Sequence, residues 1–231
     1  MGPYLRFAIV VLYPLTTLLF KVRWRGLDRI PASGGAIVAV NHISYADPIV
    51  FGRFIWDAGR SPRYLAKSSL FSAPFPIGWV LKGANQIPVH RGTVNAGEAL
   101  QAAVDALRRG EVVLIYPEGT VTRDPDFWPM QAKTGIARLA LMVPEVPVIP
   151  VGQWGAQNFL DFYAKRFRPL PRTEVTASAG EPLDLSDFAG KPPTREVLQA
   201  MTEKIMVAVR SEVAGLRGEP APETFTRWPA A

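Results

Sequence analysis

Three short, nearly uninterrupted apolar runs decide what this chain can fold into: AIVAV at residues 36–40, VVLIY at 112–116 and VPVIPV at 146–151. Each is shorter than a globular helix, rich in β-branched side chains and flanked by turn residues such as the IPASGG cluster at 30–35. A strand with no polar alternation must be buried on both faces. That is the condition of a parallel sheet covered by helices. RYLAK at 63–67 and QIPVH at 86–90 are weaker strand candidates, and the alternating EVTASA at 174–179 is expected at a sheet edge.

Helical periodicity fills the gaps. Asn95 and Glu98 form a capping-box-like start to a helix ending near Arg109, where Gly110 stops it. A second helix is expected over 131–142. The longest runs over 194–216, with Val197, Leu198, Met201, Ile205 and Val209 on one stripe. The expected fold class is therefore α/β, a mostly parallel central sheet flanked by helices. At 231 residues, with no internal repeat, one domain can bury the core.

The first residues stand apart. YLRFAIVVLYPLTTLLF at 4–20 is apolar but short of the roughly 20 residues of a bilayer span, and Pro14 interrupts it. KVRWRG follows, with cations and an indole in the manner of an interfacial anchor. The expectation is a membrane-interface helical segment over 1–25, a main domain over 26–217 and an extended or mobile tail over 218–231. The net charge of +6 favours anionic partners. A membrane surface accounts for the basic stretch YAKRFRPLPR at 163–172 without any nucleic-acid motif. With no cysteine, disulfides, thiolate metal sites and a cysteine nucleophile are excluded.

Chemistry concentrates where the buried runs end. VAVNHISYADPIVF at 38–51 holds Asn41 and His42, one of only two histidines, with Asp47 five residues on. Asp47 before Pro48 also reads as a helix cap with proline at the first helical position. YPEGT at 116–120 and IPVHRG at 87–92, which contains Arg91, end two further strands. Carboxyl ends of strands in open α/β sheets are where ligands bind.

N-H-x-x-x-x-D, an apolar run ending in arginine, P-E-G-T and V-P-x-x-P-V occur here in that order. Over roughly residues 26–180 the chain resembles the glycerolipid acyltransferase family, of the 1-acylglycerol-3-phosphate acyltransferase type. The resemblance implies transfer of an acyl chain from acyl-CoA or acyl carrier protein to the free hydroxyl of lysophosphatidate, giving phosphatidate, with no cofactor and no metal. It makes residues 26–217 the acyltransferase domain. It assigns His42 as general base and Asp47 as its orienting partner. Arg91 would bind the glycerol phosphate, and Glu118, Gly119 and Thr120 would line the acceptor site. Lys67 and Lys133 match basic positions that would neutralise phosphate, and Asn41 is a candidate oxyanion donor. One departure stands out: Val121 occupies the place of the arginine in E-G-T-R, so Arg123 is expected to substitute from two residues further on. That leaves another lysolipid or glycolipid as an alternative acceptor. A non-catalytic membrane-binding module is the reading from a different class. The implied location is peripheral, on the cytoplasmic face of a membrane.

Overall fold

The computed structural model describes residues 3–74, 77–89, 96–161 and 163–227. The chain begins with α1 (Pro3–Leu19), β1 (Phe20–Arg25), β2 (Ala36–Val40), α2 (Asp47–Asp57), β3 (Pro62–Lys67), α3 (Ile77–Gly83) and β4 (Ile87–Val89). It continues through α4 (Ala96–Arg108), β5 (Val112–Ile115), α5 (Gly135–Met142), β6 (Val148–Trp154) and the single turn α6 (Ala156–Phe159). β7 (Leu160–Asp161), β8 (Arg166–Phe167), β9 (Thr173–Ala179) and α7 (Arg195–Arg217) complete it.

Seven strands form the central sheet in the order β1-β9-β6-β2-β5-β3-β4. Every pairing is parallel except β6 with β9, so the expected mostly parallel sheet is what the chain forms. β2 lies at the centre because all five of its residues are buried. Its side chains divide by alternation. Ala36, Val38 and Val40 join a core with Phe51, Phe54 and Ile55 of α2, while Ile37 and Ala39 join one with α4, α5 and α7. Covering helices on both faces are what a strand with no polar residue demands. α7 is capped as its sequence announces, with Thr194 accepting from the Val197 N–H at 3.3 Å and left-handed Gly218 ending it.

Several expectations need correction. KVRWR is not a free anchor: residues 20–25 are β1, paired in parallel with β9 from Phe20↔Thr173 to Arg25↔Ser178. The expected boundary after residue 25 therefore cuts through the sheet, and a catalytic unit starting at 26 lacks an edge strand. β9, expected at an edge, lies between β1 and β6. Residues 218–227, the described part of the segment after α7, are docked on the body through Thr226. Met130 bridges to Thr226, the Gln131 N–H donates to the Thr226 carbonyl at 3.0 Å, and Arg217 lies between the Trp128 and Trp154 rings at 4.1 and 4.2 Å.

α1 is continuous through Pro14, and its 17 residues span about 25 Å. Among the described residues no helix is long and apolar enough to cross a membrane. Asp57 at the end of α2 pins α1 in place, accepting from Tyr13 at 2.8 Å and from the Trp24 indole at 2.7 Å. Arg53 stacks on Tyr13 at 4.2 Å. Val10, Leu15 and Leu18 of α1 remain exposed.

Candidate active site

β2, β5 and β6 run parallel and in register, so the residues just beyond Val40, Ile115 and Val151 converge at one end of the sheet. Asn41 is the first residue past β2 and is fully buried. Its side chain accepts from the Gln153 N–H at 2.8 Å and donates to the Gln153 carbonyl at 3.1 Å, while Gln153 Nε2 returns a bond to the Asn41 carbonyl. This clasp ties β2 to β6 and fixes where the next residue begins. It also occupies Asn41 in the sheet, away from any substrate.

His42 is held on every side. Its N–H donates to Glu118 Oε1 at 2.9 Å and its carbonyl accepts from the Thr122 N–H at 2.7 Å, so the loop after β5 grips its backbone from both directions. The ring stacks on Tyr116, 4.2 Å between centroids and 23° between planes. Nδ1 lies 2.7 Å from Asp47 Oδ2. The same oxygen accepts from the Ile43 and Ser44 N–H groups at 2.8 and 3.0 Å. A buried carboxylate at that distance, already serving as an acceptor, assigns the proton to Nδ1 and leaves the lone pair on Nε2. The imidazole side chain is 13% exposed and the carboxylate fully buried, as a base facing substrate and its orienting partner require.

The alternative of a helix cap does not describe Asp47. Ala46 occupies the cap position of α2 with no side-chain cap bond, and Asp47 is the first helical residue, reaching back into the loop. Its other oxygen, Oδ1, is buried and has no hydrogen-bond partner among the described residues. Two phenols share that environment. Burial raises Tyr64 and Tyr116 well above the ordinary range, and the Asp47 charge adds to it.

The loop after β5 carries the remaining candidates. Glu118 is 3% exposed, with Oε1 on His42 and Oε2 on the Met130 N–H at 2.9 Å. Burial pushes its carboxyl up to about 8, against the pull of those two N–H groups. It braces the two loops against each other. Gly119 has φ +75°, a left-handed turn that side chains rarely adopt, and a β-carbon there would stand 3.7 Å from Lys133 Nζ. Lys133 thereby lies over the P-E-G-T turn, its own N–H bonded to the Pro117 carbonyl at 3.0 Å. Thr120 is half-buried at the rim. Val121 is 2% exposed and points into the core. Arg123 is exposed two residues on, donating from Nε to the Tyr163 hydroxyl at 3.0 Å. Lys67, the last residue of β3, is exposed at the same end of the sheet. Arg91 lies outside the described residues, as does Asn95.

Gln153, Tyr116 and Arg217 were not singled out by sequence. A glutamine inside the apolar VIPVGQW was the one available sign that something polar had to meet it. A cavity of about 670 Å³ lies at the opposite end of the sheet, lined by Arg60, Arg63 and Lys82. It is remote from His42, and its arginines are consumed by backbone carbonyls and Glu111.

A sequence model described as Acyltransferase matches residues 21–154, from inside β1 to the last residue of β6. The chain belongs to the acyltransferase family. Acyltransferase relatives include a 1-acyl-sn-glycerol-3-phosphate acyltransferase of Bacillus subtilis, 29% identical and covering 87% of this chain and 92% of its own length. A chloroplast 1-acyl-sn-glycerol-3-phosphate acyltransferase of Arabidopsis thaliana is 26% identical over 65% of this chain, which spans only 43% of that protein. A lyso-ornithine lipid O-acyltransferase of Rhodobacter capsulatus is 27% identical over 84% of the chain and 70% of its own length. Among solved structures, the 1-acyl-sn-glycerophosphate acyltransferase PlsC of Thermotoga maritima has the same fold. Its TM-score is 0.66 at 24% identity, covering 94% of this chain and 81% of that one.

Proposed function

We propose that this acyltransferase moves a fatty acyl group from a thioester to the free hydroxyl of 1-acyl-sn-glycerol-3-phosphate, giving phosphatidate. The observation that carries the reading is the 2.7 Å contact between His42 Nδ1 and buried Asp47, which leaves Nε2 as the ring nitrogen able to take a proton. The acceptor hydroxyl gives its proton to Nε2 as its oxygen attacks the thioester carbonyl. Asp47 stabilises the imidazolium that forms. The tetrahedral intermediate collapses by breaking the carbon–sulfur bond, and the imidazolium returns the proton to the departing thiolate. No acyl-enzyme is required. Ser44, the serine nearest the histidine in sequence, is buried and donates its hydroxyl to the Leu160 carbonyl.

The acceptor's phosphate meets cations from several elements. Lys133 over Gly119, exposed Arg123 and Lys67 at the end of β3 surround the dyad's end of the sheet. Arg91 joins them by resemblance. A second acceptor reading, a lysolipid of another class, is favoured by one observation. Buried Val121 removes a guanidinium that the family's pattern places beside the P-E-G-T turn. The thioester is carried by coenzyme A or by acyl carrier protein, and the enzyme works peripherally on the cytoplasmic face of a membrane.

The test is a product assay with purified full-length protein, both donor types, and lysophosphatidate beside lysolipids lacking a terminal phosphate. We expect phosphatidate from lysophosphatidate, and a selective rise in acceptor KM for Arg123→Ala. Faster turnover of a non-phosphate acceptor, with Arg123→Ala indifferent, establishes the second reading instead.

A further inference from the structure

The basic stretch at 163–172 lies beyond the matched residues 21–154 and takes no part in the proposed chemistry. In the structure it belongs to a small hairpin in which β7 and β8 pair antiparallel, Leu160 with Phe167 and Asp161 with Arg166. Its base is fixed. Buried Asp161 accepts from the Ala164 N–H and from Arg166, each at 3.0 Å, and the Arg168 N–H donates to the Phe159 carbonyl at 2.8 Å. Phe167 meets Phe159 edge-on at 5.2 Å, and Phe159 packs against Phe20 at 4.7 Å.

What this fixed base presents to solvent is unusual in composition. Phe167 is 62% exposed and Leu170 72%, against 64% for Leu18 of α1. Lys165, Arg166, Arg168 and Arg172 are exposed among them. Apolar side chains held open between cations fit a surface with negative headgroups above an apolar interior. A purely ionic partner gives Phe167 and Leu170 nothing to bury against.

The hairpin's placement adds a second line. Leu160 accepts from Ser44 in the catalytic loop, and the Tyr163 hydroxyl donates to the Val121 carbonyl at 3.2 Å beside the P-E-G-T turn. On its far side Arg172 donates to the Phe20 carbonyl at 2.7 Å, where α1 passes into β1. The hairpin thus bridges the mouth of the catalytic end and the foot of the apolar N-terminal helix.

We propose that residues 160–161 and 163–172 form a membrane contact separate from α1, seating Phe167 and Leu170 in an anionic bilayer with Lys165 and Arg168 on its phosphates. The catalytic end is thereby set against the surface that holds the acceptor. The inference rests on the lysolipid reading for its purpose, but its test reads binding without turnover.

Full-length protein is partitioned onto phosphatidylglycerol–phosphatidylcholine vesicles and onto phosphatidylcholine alone. Each cation at an anionic surface is worth about fivefold in partition, so Lys165→Glu with Arg168→Glu lowers binding to the anionic vesicles by about 30-fold or more. Leu170→Ser lowers it about tenfold on both compositions and at high salt, since screening leaves insertion untouched. Turnover of vesicle-held acceptor falls in step, while turnover of a monomeric short-chain acceptor is unchanged. Unchanged partition in both variants overturns the proposal. So does unchanged partition with a raised KM for donor carried on acyl carrier protein, which would make the hairpin a dock for an acidic protein. Equal loss on vesicle-held and monomeric acceptors also overturns it, by showing damage to the site. A failed lysophosphatidate assay with the expected partition shifts leaves the contact standing and removes only the acceptor.

Discussion

Glu111 and Glu118 stand at opposite ends of one strand, just before and just after β5, and the protein treats them in opposite ways. Burial tends to raise Glu111, but the guanidiniums of Arg63 and Arg109 outweigh it and hold the carboxyl below its ordinary range. Among the described residues Glu118 meets no such cation. Burial pushes it up to about 8, and two backbone N–H groups are its hydrogen-bond partners. The contrast extends to the sheet as a whole. At the amino ends of the strands Arg60 donates to the carbonyls of Pro31, Gly34 and Gly110, and Arg63 to Glu111, Ala84 and Asn85. At the carboxyl ends Lys67 and Lys133 stay exposed. One end spends its charges on the fold; the other holds them toward solvent, where a ligand can meet them.

The sharpest break in that comparison comes from one residue at each end. His42→Ala should cut turnover by roughly 100- to 10,000-fold while the denaturation midpoint stays close to that of the parent, because only the general base is removed. Retained turnover would place the chemistry elsewhere. Arg60→Ala should do the converse. Its charged bonds to three carbonyls are lost, stability drops by about 3 kcal/mol, and turnover per folded molecule is unchanged. Denaturant unfolding alongside initial rates reads both. A collapse of turnover with stability intact would bring the amino end into the reaction.

The smallest effect concerns Glu118 and pH. Its folded value near 8 lies above the ordinary 4.5, so between those values the folded state binds more protons than the unfolded state. Stability contributed by that excess is present below about 4.5 and is lost as pH rises toward 8. Glu111, shifted the other way, titrates below this window. Glu118→Gln should therefore flatten the fall in melting temperature between pH 5 and 8, by roughly the share one carboxyl supplies. Parallel curves for the two proteins would mean that Glu118 is ionised throughout.

The legible parts of this molecule were the local ones. β2, β5 and α7 could be read because continuous burial or a 3.6-residue stripe is written in consecutive residues. His42 and Asp47 were legible because a five-residue turn brings them together. β1 was misread for a physical reason: an edge strand with alternating Lys21, Arg23 and Arg25 looks like an amphipathic anchor, and its partner β9 lies about 150 residues away. The Asn41–Gln153 clasp spans 112 residues, and its one local trace, a glutamine in an apolar run, did not name its partner. The docking of Thr226 on the Asp124–Met130 loop was invisible for the same reason.

The direct passage from Leu19 of α1 into Phe20 of β1, with no linker between them, has a mechanical consequence. A flexible leash would let the domain tumble while one end stayed attached, and the catalytic end would find its surface by chance. Here Asp57, Arg53 and Trp24 lock the helix to the body, so a surface that holds α1 also dictates how the whole body is tilted. Helix and body therefore turn as one. Inserting a few glycines between residues 19 and 20 would let them turn separately.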